Sequence, residues 1–518
     1  MSTPPDVELP RLTRAEGHSA NRFAAQMFVP HVSAADLGHK AVRGAAVTGT
    51  SQACKFALRL GSTAILARLL TPEDYGLVAM TSVVVGLAGV FKDAGLTSAT
   101  VQRQEISHEQ ISTLFWINVG IGCLIALLLV ALAPLVGAFY KEPRLEDVTI
   151  ALAITFILSG LSVQHQALLR RQMRYKALAL IEIASMACGI TLAIYMAASG
   201  FGYWSLVGLS IGISAGGLVG VWLALRWTPG LPRRRSGVGP LLKFGGDVLS
   251  FNVVNLFSRQ SDALLIGWFW GPVALGFYDR AYNMLLMPIR QINAPFAAVA
   301  VPALSRARTD EPQFKRFYLN SLQLVSCITV PLVLVLAIYA EEIVRLWLGP
   351  DWSRCATLFR LLALAAAIGS MSNPIGWLLV SLGHTRRYKQ MGLFTAAVTV
   401  ASFAVGLPFG PEGVATAYSC ATLLLFVPTW LFVLRGTGIL PTEIFGSLTP
   451  ALFSCIPATL LAIICARFLP FVRFGWFGPL LGIAGFATVY MYLLFVRYER
   501  WDSFRGLLRE FRAPAAVR

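Results

Sequence analysis

The 518-residue chain has little charge, and what it has is lopsided. Only 13% of its residues are Asp, Glu, Lys or Arg, about half of the roughly 25% usual in soluble domains. Acids are scarcer than bases, 26 against 43, which leaves a formal net charge of +17. A soluble enzyme needs more polar surface than this, and a disordered chain carries far less apolar residue than the 56% present. Cysteine is sparse as well. Cys54, Cys123, Cys188, Cys327, Cys420, Cys455 and Cys465 fall inside apolar segments, and Cys355 falls in an external loop. No CxxC or Cys/His spacing is present, so neither a metal site nor a disulfide framework is expected, and the cysteines read as small buried hydrophobes. The chain also lacks a GxxxxGK[ST] loop, and outside the N-terminal tail no polar segment is long enough to house an ATPase. No cofactor is expected. Residues 1–40 hold Pro4, Pro5 and Pro10 and no apolar core of signal-peptide length, and they read as a cytoplasmic tail.

Long hydrophobic runs are what the chain does have. At about 20 residues per crossing, hydropathy windows give fourteen spans. They cover 44–67, 75–96, 112–139, 148–168, 178–198, 202–225, 244–267, 274–302, 317–340, 357–382, 389–407, 413–434, 447–467 and 476–496. The expected fold is therefore an all-α polytopic membrane protein. With the N-terminus inside, eighteen Lys and Arg fall in the inner loops and seven in the outer ones. Every strongly basic loop lies on one side, as the positive-inside rule requires. Both termini are then cytoplasmic. The basicity is mostly topological and does not point to nucleic acid. In the C-terminal tail, Trp501, Phe504, Leu508 and Phe511 recur at helical spacing among Arg505, Arg509 and Arg512, the pattern of a helix lying on the membrane surface.

A duplication with an offset of 200 residues organises the spans. ALRLGSTAILARLLTPEDYGLVAM around Arg59 aligns with LFSRQSDALLIGWFWGPVALGFYDRA around Arg259, matching Arg59 to Arg259, Pro72 to Pro272 and Gly76 to Gly276. An even number of crossings separates the copies, so the repeat is parallel, and such architectures place the substrate route between the halves. The expected organisation is a tail (1–43), an N-lobe of six helices (44–225), a basic linker (226–243), a C-lobe of six helices (244–435), two added helices (436–496) and an amphipathic tail (497–518).

Charges inside the spans are the candidate functional groups, because each costs about 2.5–3.5 kcal/mol at a helix centre on insertion scales. Lys55, Arg59, Arg259 and Arg290 are the candidates for anion binding, since guanidinium matches phosphate oxygens. Arg259 could also pair with Asp262, three residues on. Arg280 and Arg360 read as residues snorkelling to an interface. Asp262 and Asp93 are candidates for ion coupling or for ion pairs. Pro288, Pro295 and Pro302 recur every seven residues on one face of the eighth span and are candidate hinge positions. Tyr203, Trp204, Trp268, Trp270, Tyr278 and Tyr282 gather at outer helix ends and read mainly as the interfacial aromatic belt, with sugar stacking as an option for any that face a cavity.

Three segments, LARLLTPEDYGLVAM, GPVALGFYDRAYNMLLMPI and VPALSR, resemble the polysaccharide transporter family, Wzx-like exporters of lipopolysaccharide and exopolysaccharide precursors. This family belongs to the multidrug/oligosaccharidyl-lipid/polysaccharide exporter superfamily, which also holds drug/toxin extruders and lipid II flippases. The resemblance covers about residues 41–435. It implies a V-shaped, two-lobed exporter that is not an enzyme and that moves undecaprenyl-diphosphate-linked oligosaccharide units across a bacterial inner membrane by alternating access. By the resemblance, cavity arginines hold the diphosphate, which maps onto Arg59 and Arg259. It also implies membrane lipids, a polysaccharide polymerase and chain-length or export proteins as partners. A drug/toxin antiporter would want a carboxylate-rich cavity, and a membrane polymerase or ligase a large external loop. The interior here is net cationic and the longest external loop, 340–356, is short.

Overall fold

A computed structural model describes residues 34–92, 100–101, 106–225, 227–232, 239–468 and 477–497, with 34–46, 90, 239–259, 466–468, 477 and 497 described as backbone only. Among these residues the chain is helical throughout, with no strand. Helices α1 (Ala34–Leu69), α2 (Pro72–Phe91), α3 (His108–Tyr140), α4 (Arg144–Arg171), α5 (Tyr175–Ala198) and α6 (Trp204–Ala224) come first. They are followed by α7 (Gly239–Arg306), α8 (Glu311–Ile338), a short α9 (Ala340–Trp347), α10 (Ser353–Ser372) and α11 (Pro374–Ser381). Helices α12 (Thr385–Gly406), α13 (Gly410–Leu434), α14 (Pro441–Phe468) and α15 (Phe477–Tyr492) complete the order. Ten stretches among the described residues are long and apolar enough to cross a membrane. Helix α1 includes the last ten residues of the expected N-terminal tail, and the C-terminal amphipathic pattern lies outside the described residues.

Two long helical runs are hairpins. In α7 the one non-helical residue is Gly271, at φ 79° and ψ −176°, a conformation in which a Cβ is strained. Tyr278 donates its hydroxyl to Asp262 at 3.0 Å. Sixteen residues of continuous helix would separate those groups by about 24 Å, so the chain must reverse between them. Residues 239–270 and 272–306 are therefore two antiparallel arms. The run from α12 to α13 reverses in the same way, since Arg387 donates to the carbonyl of Arg435 at its far end.

Local chemistry sets these boundaries. Thr71 caps α2 by accepting from the Asp74 amide at 3.3 Å, while Asp74 accepts from the Thr71 amide at 2.8 Å. Pro72 then occupies the first turn, where its missing N–H costs nothing. Ser107 and Gln110 form the same reciprocal box at the start of α3.

The packing differs between the two ends of the bundle. At the end holding Pro72 and Gly271, one apolar cluster joins both halves of the chain, running through Leu66, Tyr75, Leu275, Tyr278, Trp352 and Phe359. Toward the opposite, arginine-rich end the cores separate. One lies within 106–227 and another within 300–494. Helices α5 and α6 pack closely along a row of glycines: Gly212 and Gly216 meet the backbone of Gly189 and Ser185, while Gly208 and Gly220, one turn beyond on either side, meet the side chains of Met196 and Ile181.

The two repeat openings meet at the shared end. A Cβ on Gly76 would sit 1.8 Å from the carbonyl oxygen of Pro272, and one on Gly276 would sit 1.8 Å from that of Pro72. This reciprocity is what a local twofold between equivalent segments produces. The seam is clamped from outside the bundle. Trp352 donates to the Ala67 carbonyl and Trp347 to that of Leu60, both at 2.9 Å, and Arg68 donates to Leu346 at 2.7 Å. Thus the segment expected as an external loop is folded onto the last turns of α1. Cys355, expected in that loop, is fully buried at the start of α10.

Candidate functional site

Beneath the seam lies a cavity of about 860 Å³, walled by α1, α2, α5, α6 and both arms of α7. That volume is at the upper end for small-ligand sites. Its apolar wall comes from residues such as Val78, Ile190, Leu209 and Met287. Its charged groups are Arg59, Arg280, Arg290, Asp262 and Asp279.

These charges differ in how far they are already satisfied. Asp279 accepts from Arg280 at 2.6 Å and from Asn283 at 2.8 Å, and the Arg280 guanidinium lies 4.4 Å over the Tyr75 ring. Asp262 is 5% exposed and accepts from the Tyr278 hydroxyl and the Ala263 amide. In contrast, no carboxylate among the described residues lies within ion-pairing distance of Arg59 or Arg290, and both side chains are exposed within the cavity. A bound anion would find two guanidinium groups with their donors still open.

The candidates read from sequence scatter around this cavity. Arg59, Arg290 and Asp262 line it. Lys55, one turn from Arg59, pairs with Glu182 on α5 and does not line it. The side chain of Arg259 and all of Asp93 lie outside the described residues, so the Arg259–Asp262 pairing does as well. Pro288, Pro295 and Pro302 sit within an arm whose backbone stays helical through all three. Arg280, expected to snorkel, is turned into the cavity instead, because Asp279 and the Tyr75 ring satisfy it there. Tyr278 and Tyr282 also line the cavity, with rings stacked at 6.1 Å and 8°. Arg360 stays on the periphery, paired with Glu341 at 2.8 Å. Sequence reasoning missed Asp279, Asn283 and Tyr75 as cavity groups. Their one signal was proximity to the repeated Gly76 and Gly276 positions.

A smaller polar cavity of about 200 Å³ adjoins the first, the two sharing Ile213, and holds Lys92, Ser159, Ser162, Gln166, Glu182 and Ser185. No group of three or more His, Cys, Asp or Glu among the described residues could hold a metal ion.

An all-helical, multi-pass membrane protein with a charged internal cavity between its helices has the architecture of a transporter. The family described as "Polysaccharide biosynthesis protein" matches residues 65–357, more than half of the chain, and the protein belongs to it. Among curated relatives, Lipopolysaccharide biosynthesis protein WzxC of Escherichia coli is 24% identical over 71% of this chain and 76% of its own. Succinoglycan biosynthesis transport protein ExoT of Rhizobium meliloti is 26% identical over 68% of this chain and 71% of its own. Among solved structures, the lipid II flippase MurJ superposes with a TM-score of 0.71 at 15% identity, over 88% of this chain and 99% of that one. An inward-facing multidrug transporter of the MATE family gives 0.60 at 13% identity, over 73% and 94%. The fold is therefore that of the MurJ and MATE transporters.

Proposed function

We propose that this protein is a flippase that carries undecaprenyl-diphosphate-linked oligosaccharide units across a bacterial inner membrane for lipopolysaccharide or exopolysaccharide assembly. The carrying observation is the pair of uncompensated guanidinium groups, Arg59 and Arg290, in a cavity closed at one end by the seam. A diphosphate supplies the charge they lack, and Arg259 is a further candidate at the repeat-equivalent position. The names of WzxC and ExoT agree with such a cargo. A carrier for cationic drugs would present unpaired carboxylates here, and the two Asp of this cavity are already hydrogen-bonded.

In this reading the chain crosses the membrane fourteen times as two six-helix lobes and two added helices, with both termini and the arginine-rich end in the cytoplasm. The seam end then faces the periplasm. The unit enters from the cytoplasmic side with its polyprenyl tail left in lipid. Parting of the seam and closure of the opposite end release it outward, and Pro288, Pro295 and Pro302 let the second arm of α7 bend. No bond in the substrate is made or broken.

The test is deletion of the gene, followed by mass spectrometry of polyprenyl-linked sugars and quantification of surface polysaccharide. Complete repeat units should accumulate on their lipid at the cytoplasmic leaflet, with polymer lost. Wild-type sequence should restore polymer, and Arg59→Ala or Arg290→Ala at normal protein levels should restore less than a tenth of it. Full restoration by both variants would remove the diphosphate site, and unchanged lipid intermediates on deletion would remove the cargo.

A further inference from the structure

The segment from Tyr339 to Trp352 is well bonded where it meets α1 and poorly satisfied where it meets the C-terminal helices. On the α1 side, Trp347 donates to the Leu60 carbonyl, Trp352 to that of Ala67, and Arg68 to that of Leu346. The two tryptophan bonds are not equivalent. Ala67 lies in the last turn of α1, and the Thr71 amide that would serve its carbonyl is turned to Asp74. Trp352 therefore satisfies a carbonyl that has no helical partner. Leu60 lies well inside α1, where its carbonyl already takes a helical bond. The Trp347 bond is an addition, and breaking it leaves no bare carbonyl. On the far side, the Tyr339 hydroxyl and one oxygen of the Glu342 carboxylate are buried with no hydrogen-bond partner among the described residues. Tyr339 is 1% exposed, and its hydroxyl rests on α15, where a Cβ on Gly482 would lie 1.9 Å away. Buried polar atoms left unpaired raise the free energy of the state that buries them.

We propose that α9 is a releasable latch on the seam end of the cavity: Trp347 fastens it to α1, and the unpaired Glu342 carboxylate keeps the fastened arrangement close in free energy to the released one. Apolar contacts hold it shut. Ala340, Val344 and Leu348 belong to the cluster shared by both halves, and Ile343 packs on that cluster and on the C-terminal one. Lifting α9 loses these contacts and the Trp347 bond, but it hydrates Glu342 and Tyr339. The fixed end is Trp352, 1% exposed and edge-on to Tyr75 and Phe277. Between latch and anchor lies Gly349, whose φ of 110° gives the chain a turn that other residues resist. The same stretch of α1 faces the cavity through Arg59, Ser62, Thr63 and Leu66. A shift of α1 toward the cavity contents therefore pulls on Leu60 and loads the Trp347 bond.

The test is thiol labelling of purified full-length protein in nanodiscs with no cargo present. It depends neither on the flippase reading nor on which side of the membrane the seam faces. The eight native cysteines are replaced by alanine, and Val344→Cys places a single thiol on the buried face of α9, where Val344 is 1% exposed. Trp347→Phe keeps a ring and removes the donor, and it should speed maleimide labelling at position 344 roughly threefold or more. Glu342→Met removes the unpaired oxygen at similar length and should slow labelling by about the same factor. A parallel background that keeps only Cys355, beyond the Trp352 anchor, should label within about twofold of its own rate in both variants. Opposite signs from two changes on one helix exclude general damage, which would speed labelling in both. The latch is overturned if either variant leaves labelling at position 344 unchanged, or if both shift it the same way. It is overturned as well if Cys355 follows position 344, because the motion is then not local to α9.

Discussion

Adding one methyl group at Gly76 tests whether the seam is a closure specific to this conformation. The new Cβ would lie 1.8 Å from the Pro272 carbonyl oxygen, whereas a carbon–oxygen contact needs about 3.3 Å. The two backbones must therefore part by about 1.5 Å, and neither atom is the end of a flexible side chain. Overpacking of this kind costs about 1–3 kcal/mol, which at 1.4 kcal/mol per factor of ten is roughly 5- to 150-fold. The penalty falls only on the closed seam, so the variant should shift the population toward a state with that end open. Cys355, fully buried in the apolar cluster behind the seam, is a native reporter. In a background with the other cysteines replaced by alanine, Gly76→Ala should raise labelling of Cys355 by a membrane-impermeant maleimide at least fivefold in intact spheroplasts. A normally expressed Gly76→Ala protein with wild-type labelling would refute the reasoning, because the backbone would then have absorbed the methyl without opening.

Two other sites give smaller and different effects. Lys55→Ala breaks the pair with Glu182, which is partly exposed and lies off the main cavity. It should lower thermal stability in detergent by about 1 kcal/mol while leaving affinity for undecaprenyl diphosphate unchanged; a tenfold loss of affinity would place Lys55 in the binding site instead. Arg144 joins Glu142 and Glu73 at 2.7 Å each, and its hydrogen bonds hold the Glu142 carboxyl below its ordinary value. A lowered carboxyl stabilises the fold above the unfolded-state value near pH 4.5, and that contribution fades as pH falls through the lowered one. Arg144→Met should therefore cost about 0.2–1 kcal/mol at pH 7 and progressively less on acidification, as melting curves from pH 7 to pH 3 would detect.

The helices themselves were legible because burying a helix in lipid demands long apolar runs, and those runs are visible in any window. The seam contact was legible for a related reason: Gly76 and Gly276, matched in the sequence, each sit where another backbone approaches too closely for a Cβ. What the sequence left open was azimuth. Lys55 and Arg59 share a helix face to within about 40°, yet one meets Glu182 and the other opens into the cavity. Arg280 read as a snorkelling residue because nothing local announces that Tyr75, 205 positions earlier, supplies a ring for it to lie on. The same limit applies to Gly208, Gly212, Gly216 and Gly220. Their spacing marks a close helix contact, but only the fold shows that α5 is the partner.

That glycine ladder has a mechanical consequence. Close contacts at four successive turns, two of them to backbone, leave α5 and α6 little room to slide or twist past each other, so the pair behaves as a stiff strut. The second arm of α7 is the opposite, a spring weakened at each proline where a backbone donor is missing. When a rigid strut and a compliant rod border the same cavity, a load applied inside it deflects the rod. A load on Arg290 would be carried along that rod to its other end, where Gly276 rests against Pro72.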